Sequence, residues 1–167
     1  MRVLVIPDVH LKPYIFDRAK ELMRKGIADT SVCLMDIPDD WGKQYMIEEY
    51  VKTFDAAIEF AKEYPNSLWC YGNHDLSYVW DEWETGFSSA AKYKVQQKLT
   101  ELEKTLAEGN QIKYIQQIDN VIFCHGGLTK YFVEKHVSKS KYNDVSKVVD
   151  IINSLGHQEM WCDDSPI

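Results

Sequence analysis

The 167 residues fit one ordinary domain rather than two, and 45% apolar residues are enough to fill a core, which excludes global disorder. Nineteen Lys and Arg against 26 Asp and Glu leave a formal charge of −7. An acidic surface repels a phosphate backbone, so a nucleic-acid partner is disfavoured.

Residues 2–7 form a short branched apolar run, the pattern of a strand buried on both faces. Over 14–25, Ile15, Ala19, Leu22 and Met23 recur at helical spacing, and Gly26 supplies the stop. A second buried strand is predicted over 31–35. Over 43–63 an amphipathic helix puts Ile47, Tyr50, Val51, Phe54, Ala57, Ile58 and Ala61 on one face. Pro65 and Asn66 end it, and 67–71 reads as a third strand. In 77–87 the aromatic Tyr78, Trp80, Trp83 and Phe87 alternate with Asp81, Glu82 and Glu84. A helix turning its aromatics into the core is the main reading there; a cover over a site mouth that selects substrates is the other. Helix resumes over 88–108 until Gly109 and Asn110 break it. Residues 112–116 and 120–124 read as paired strands joined near Asp119 and Asn120. His136, among Lys135, Lys139 and Lys141, reads as a surface residue, and a last amphipathic helix covers 144–155. Alternating strands and helices predict one α/β layered domain over 1–167, with part of its sheet parallel.

No apolar run approaches the roughly 18 residues of a membrane span. Charged residues follow the short N-terminal apolar run at once, unlike a signal peptide. Cys33, Cys70, Cys124 and Cys162 lie apart with no Cys-x-x-Cys spacing, so they are read as reduced and packed, which points to the cytoplasm. The only arginines are Arg2, Arg18 and Arg24. An anion clamp later in the chain must therefore use Lys, amides or metal.

Chemistry concentrates at strand ends. The first strand runs into Asp8-Val9-His10, the second into Asp36-Ile37-Pro38-Asp39, the third into Gly72-Asn73-His74-Asp75, and a later one into His125-Gly126-Gly127. In open α/β sheets the ligand crevice lies beyond the carboxyl ends of the strands, so these four clusters should converge. Gly72 reads as the turn before Asn73, and Gly126-Gly127 as a sharp bend past a ligand.

Together these blocks resemble the calcineurin-like metallophosphoesterases, whose signature is Asp-x-His, Gly-Asp-x-x-Asp, Gly-Asn-His-Asp/Glu and later histidines. The form His125-Gly126-Gly127-Leu128, with Met160-Trp161-Cys162-Asp163 downstream, is similar to the serine/threonine phosphoprotein phosphatase and dinucleoside-tetraphosphatase branch. The resemblance runs from Arg2 to about Asp163. It implies a layered fold of mixed β-sheets flanked by helices, and a site for two divalent ions. Asp36 would bridge the ions, Asp8 and His10 would complete the first, and Asn73 and His125 would serve the second. Mixed N and O donors favour Mn, with Fe, Zn or Ni also suited. A hydroxide bridging two such ions would attack phosphorus in line. His74 would then be the general acid, and Asp39 the carboxylate that orients it.

The sequence departs from that pattern at three places. Met35 stands where the resemblance expects Gly, and Asp40 where the phosphoprotein branch has Arg. That places less weight on a phosphoprotein and more on a nucleotide or diester substrate. A late Gly-His block is also expected for the second ion. Only His157, in Leu155-Gly156-His157-Gln158, has that look, but it follows a helix and is read as a surface or cap residue. The domain is accordingly expected to be shortened at its C-terminus. The expected activity is metal-dependent hydrolysis of a small phosphorylated substrate, a nucleotide or a phosphoprotein. The alternative is a truncated or degenerate relative that binds metal as a binding or regulatory protein.

Overall fold

The computed structural model describes all residues from Met1 to Ile167. Strands β1 (Val3–Ile6), β2 (Thr30–Cys33) and β3 (Leu68–Trp69) form a parallel sheet in the order β1-β2-β3. Helices α1 (Tyr14–Arg24) and α2 (Ile47–Glu63) make the crossovers that parallel pairing requires. Their apolar faces pack with α4 (Lys92–Thr105) in one core, where Trp69 lies 6.0 Å from the ring of Phe16 and 6.3 Å from that of Phe60. Between β3 and α4 stands α3 (Asn73–Trp80).

The C-terminal third adds an antiparallel hairpin, β4 (Ile115–Ile118) and β5 (Val121–Cys124), with α5 (Lys130–His136), α6 (Val145–Asn153) and α7 (His157–Met160) around it. Phe132, Val148, Val149, Ile152 and Met160 close a second, smaller core on Ile115. Lys113 joins the two parts: its N–H donates to Trp69 O at 3.1 Å, and its carbonyl accepts from Tyr71 N at 2.9 Å. The fold is thus mixed α/β, with a parallel and an antiparallel sheet flanked by helices, as expected. No helix is long and apolar enough to cross a membrane.

Several elements differ from their sequence expectation for local reasons. β2 stops at Cys33, because Met35 and Asp36 take φ values of +53° and +42° that no strand accommodates. α2 begins at Ile47; residues 43–46 form a turn closed by Met46 N on Lys43 O. The hairpin pairs 115–118 with 121–124, while residue 113 bridges to Cys70. The helix read within 77–87 lies instead at 73–80, where the left-handed Asp81 stops it, and α5 is an addition to the elements read from sequence. Thr129 starts α5 by accepting from Phe132 N at 3.1 Å, and Phe132 anchors it in the smaller core.

His136 is corrected from a surface residue to a partly buried one. Its ring lies 4.6 Å from Phe132, and burial lowers its pKa. Cys33 and Cys70 are buried and Cys124 partly so, whereas Cys162 is exposed rather than packed; all four are free thiols.

Candidate functional site

The turns after β1 and β2 run side by side. His10 N donates to Asp36 O at 2.7 Å, and Val9 N to Met35 O at 3.0 Å, which brings His10 beside Asp36. Asp36 is 2% exposed and its two oxygens have separate partners. Oδ1 accepts the His74 backbone N–H at 3.0 Å, at the start of α3. Oδ2 lies 3.2 Å from His125 Nε2 and 3.6 Å from His10 Nε2. Both rings are pinned from behind by backbone carbonyls: His125 Nδ1 meets Leu34 O at 2.9 Å, and His10 Nδ1 meets Asp39 O at 3.1 Å. A carbonyl only accepts, so Nδ1 carries a proton on each ring and Nε2 is left to face Asp36, donating to its carboxylate when protonated and offering a lone pair to a cation when not. That is the donor chemistry of a metal-binding histidine. Ligand atoms of His10, Asp36 and His74 all lie within 4.8 Å of one another.

Gly72 makes room for this arrangement. A Cβ there would stand 2.1 Å from Asp36 Oδ1 and 3.1 Å from His125 Nδ1. The glycine expected to serve a turn instead leaves space for the central carboxylate. Gly126 lies against 166–167: a Cβ would stand 2.5 Å from Ile167 O, and its N–H donates to Pro166 O at 2.9 Å.

His74 and Asp39 form a pair, with Nδ1 to Oδ2 at 3.0 Å. The other Asp39 oxygen accepts the hydroxyls of Tyr50 at 3.0 Å and Tyr78 at 2.5 Å, and Tyr78 Oη accepts Ser88 N–H at 2.8 Å. Asp39 is therefore fully engaged at both oxygens, and the His74 ring keeps Nε2 free. Burial opposes a charge on His74, yet the Asp39 hydrogen bond and the charges of Asp36, Asp39 and Glu84 raise its pKa. His125 is partly buried, which opposes its charge, yet its Asp36 hydrogen bond with the charges of Asp36 and Asp8 holds it up to about 9.

Asp75 performs a task that its residue type did not disclose. It is fully buried and accepts three backbone N–H groups: Asp36 at 2.8 Å, Gly72 at 3.1 Å and Ile37 at 3.2 Å. This clamps the left-handed turn at Met35 and Asp36 onto the start of α3. Burial and the neighbouring Asp36 charge push its carboxyl up to about 7, against the pull of those N–H donors.

His10, Asp36, Asp39, His74 and His125 thus form one connected cluster. Asp8 reaches only His125, 3.5 Å from Nδ1, and its side chain is half-exposed. Asn73 lines a cleft beside His125, and its amide donates to Glu84 Oε2 at 3.0 Å. His157 instead stacks on Trp80 at 4.6 Å with Nε2 3.2 Å from Glu82, consistent with a helix-end residue. Tyr50, Asp75, Tyr78 and Glu84 were not singled out as site residues. The tyrosines read as apolar helix positions, and Asp75 closed a motif without a role of its own.

Two clefts flank the site. One of about 280 Å³ has His10, Asp39 and His74 in its wall with Lys12, Trp41 and Thr85. The other, about 530 Å³, takes Asn73 and His125 with Trp83, Glu84, Trp161 and Asp163. No arginine lines either, since Arg2, Arg18 and Arg24 pair with Asp29, Glu21 and Glu63. The family model for calcineurin-like phosphoesterase matches residues 1–166. No curated protein and no solved structure matches the chain.

Proposed function

Because the chain belongs to the calcineurin-like phosphoesterase family, we propose that it hydrolyses phosphate esters at the cluster around Asp36, with two divalent cations. The observation that carries this reading is the pair of imidazole Nε2 atoms facing one oxygen of a buried carboxylate, each ring pinned through Nδ1 by a carbonyl. Asp36 would be the shared ligand, with Asp8, His10, Asn73 and His125 completing the set; Asp8 lies beside His125 rather than beside His10. The mixed N and O donors suit Mn, and also Fe, Zn or Ni. Bound there, such cations would supply Lewis-acid charge to the phosphoryl group and lower the pKa of a bound water.

The chain's own residues handle orientation and the leaving group. Asp39, fixed by Tyr50 and Tyr78, orients His74, and His74 donates a proton from Nε2 to the departing oxygen. Such general acids contribute about 10²–10⁴-fold. Phosphate is held without guanidinium, which favours a small phosphomonoester, nucleotide or diester over a phosphoprotein.

Metal content by mass spectrometry and turnover of p-nitrophenyl phosphate in added Mn test the reading. Two ions per chain, with turnover abolished in Asp36→Asn, are expected. His74→Ala should keep its metal yet lose far more rate on an alkyl phosphomonoester than on the p-nitrophenyl ester, whose leaving group needs no proton. Equal losses would remove His74 as the acid. One ion per chain without turnover would favour a metal-binding protein without catalysis.

A further inference from the structure

The aromatic and acidic segment 81–87 is anchored at both ends. Asp81 ends α3 with φ +60°, and Glu82 N donates to Ser77 O at 2.9 Å. At the other end Phe87 stacks on the buried Tyr78 at 4.4 Å, and Phe87 N donates to Glu84 O at 3.0 Å. Between these anchors both carboxylate oxygens of Glu84 are committed. Oε1 accepts the Thr85 N–H at 2.7 Å, and Oε2 accepts Asn73 Nδ2 at 3.0 Å.

An asparagine amide can ligate a cation only through its oxygen, and its two ends differ in nothing but hydrogen bonding. A carboxylate accepts and never donates, so Glu84 can pair only with the Nδ2 end of Asn73. That fixes the amide and leaves Oδ1 for a cation. Glu84, Asn73 and His125 line the same cleft, so the contact sits on the second-ion side of Asp36.

We propose that Glu84 is a positioning residue for Asn73, through which segment 81–87 sets the affinity of the second cation. The inference rests on the two-ion reading given above. Partners of this kind typically change metal affinity by about 10–100-fold when removed.

The test is Mn binding followed by electron paramagnetic resonance and equilibrium dialysis in wild type, Glu84→Ala and Glu84→Gln, with melting in chelator as a check on folding. In Glu84→Ala one of the two sites should lose about 10–100-fold in affinity while the other holds. Glu84→Gln, whose amide oxygen still accepts from Asn73 Nδ2, should recover most of that loss. Two sites of unchanged affinity in Glu84→Ala would overturn the positioning role. So would a Glu84→Gln variant as weak as Glu84→Ala, since charge rather than the hydrogen bond would then be at work. A wild-type chain that holds a single ion would instead overturn the two-ion reading and, with it, this inference.

Discussion

Gly72 illustrates how a single missing methyl shapes the site. An added Cβ would lie 2.1 Å from Asp36 Oδ1 and 2.7 Å from its Cγ, far inside van der Waals contact. The Gly72→Ala variant must therefore swing the Asp36 carboxylate away from the His74 N–H or from the two imidazoles. Metal affinity should fall by about 10–100-fold, the range for disturbed ligand orientation, and isothermal titration with Mn would read it. Unchanged affinity would show that Asp36 has another place to go. The residue types of this site were legible in sequence, because Asp, His and Asn each stand where a strand gives out. The reason for Gly72 was not, since the group that needs the space is 36 positions away in the chain. Met35 shows the same limit: its side chain is fully buried while its backbone sits in the left-handed region. The backbone costs about 1–2 kcal/mol and burial of the side chain returns about 1.5–3 kcal/mol, so a non-glycine is tolerated.

At the level of elements, the junction of β2 with α3 decides whether the ligands meet. Asp75 holds three N–H groups from both sides of that junction. In Asp75→Asn the amide nitrogen replaces one acceptor, so at least one buried N–H loses its partner, at about 1–3 kcal/mol. A lowered urea midpoint together with weaker Mn binding is the expected outcome; full stability and full affinity would show that the turn holds itself. The same junction explains why α3 starts at Asn73, ahead of the aromatic pattern from 77 onward that signals a helix. Its start is satisfied by the carboxylates of Asp36 and Asp75 rather than by a Ser or Thr cap, and its first residues look like a loop after a strand. Elements whose signal is internal fared better: α1 and α6 follow their apolar periodicity to within two residues, and the β4-β5 turn falls at Asp119.

Across the whole molecule, the buried charges around Asp36 tie stability to pH and to metal. His125 is held up to about 9 and His74 is raised in the same direction, whereas an unfolded histidine titrates near 6.5. A raised folded pKa contributes stability that is complete below about 6.5 and is lost as pH rises through the folded value. Asp75, pushed up to about 7 from an ordinary carboxyl value near 4, acts in the same direction at lower pH. Burial lowers the His136 pKa, so it acts in the opposite direction. In chelator the melting temperature should therefore fall between pH 6 and 8.5. A divalent cation reverses the balance, because it needs the histidines neutral and the carboxylates charged, and its binding releases protons. The rise in melting temperature on adding Mn should accordingly grow with pH over that interval. Scanning calorimetry with EDTA or Mn at each pH reads both curves. Parallel curves would mean that the cation and the proton do not compete for His125, and would move the metal away from Asp36.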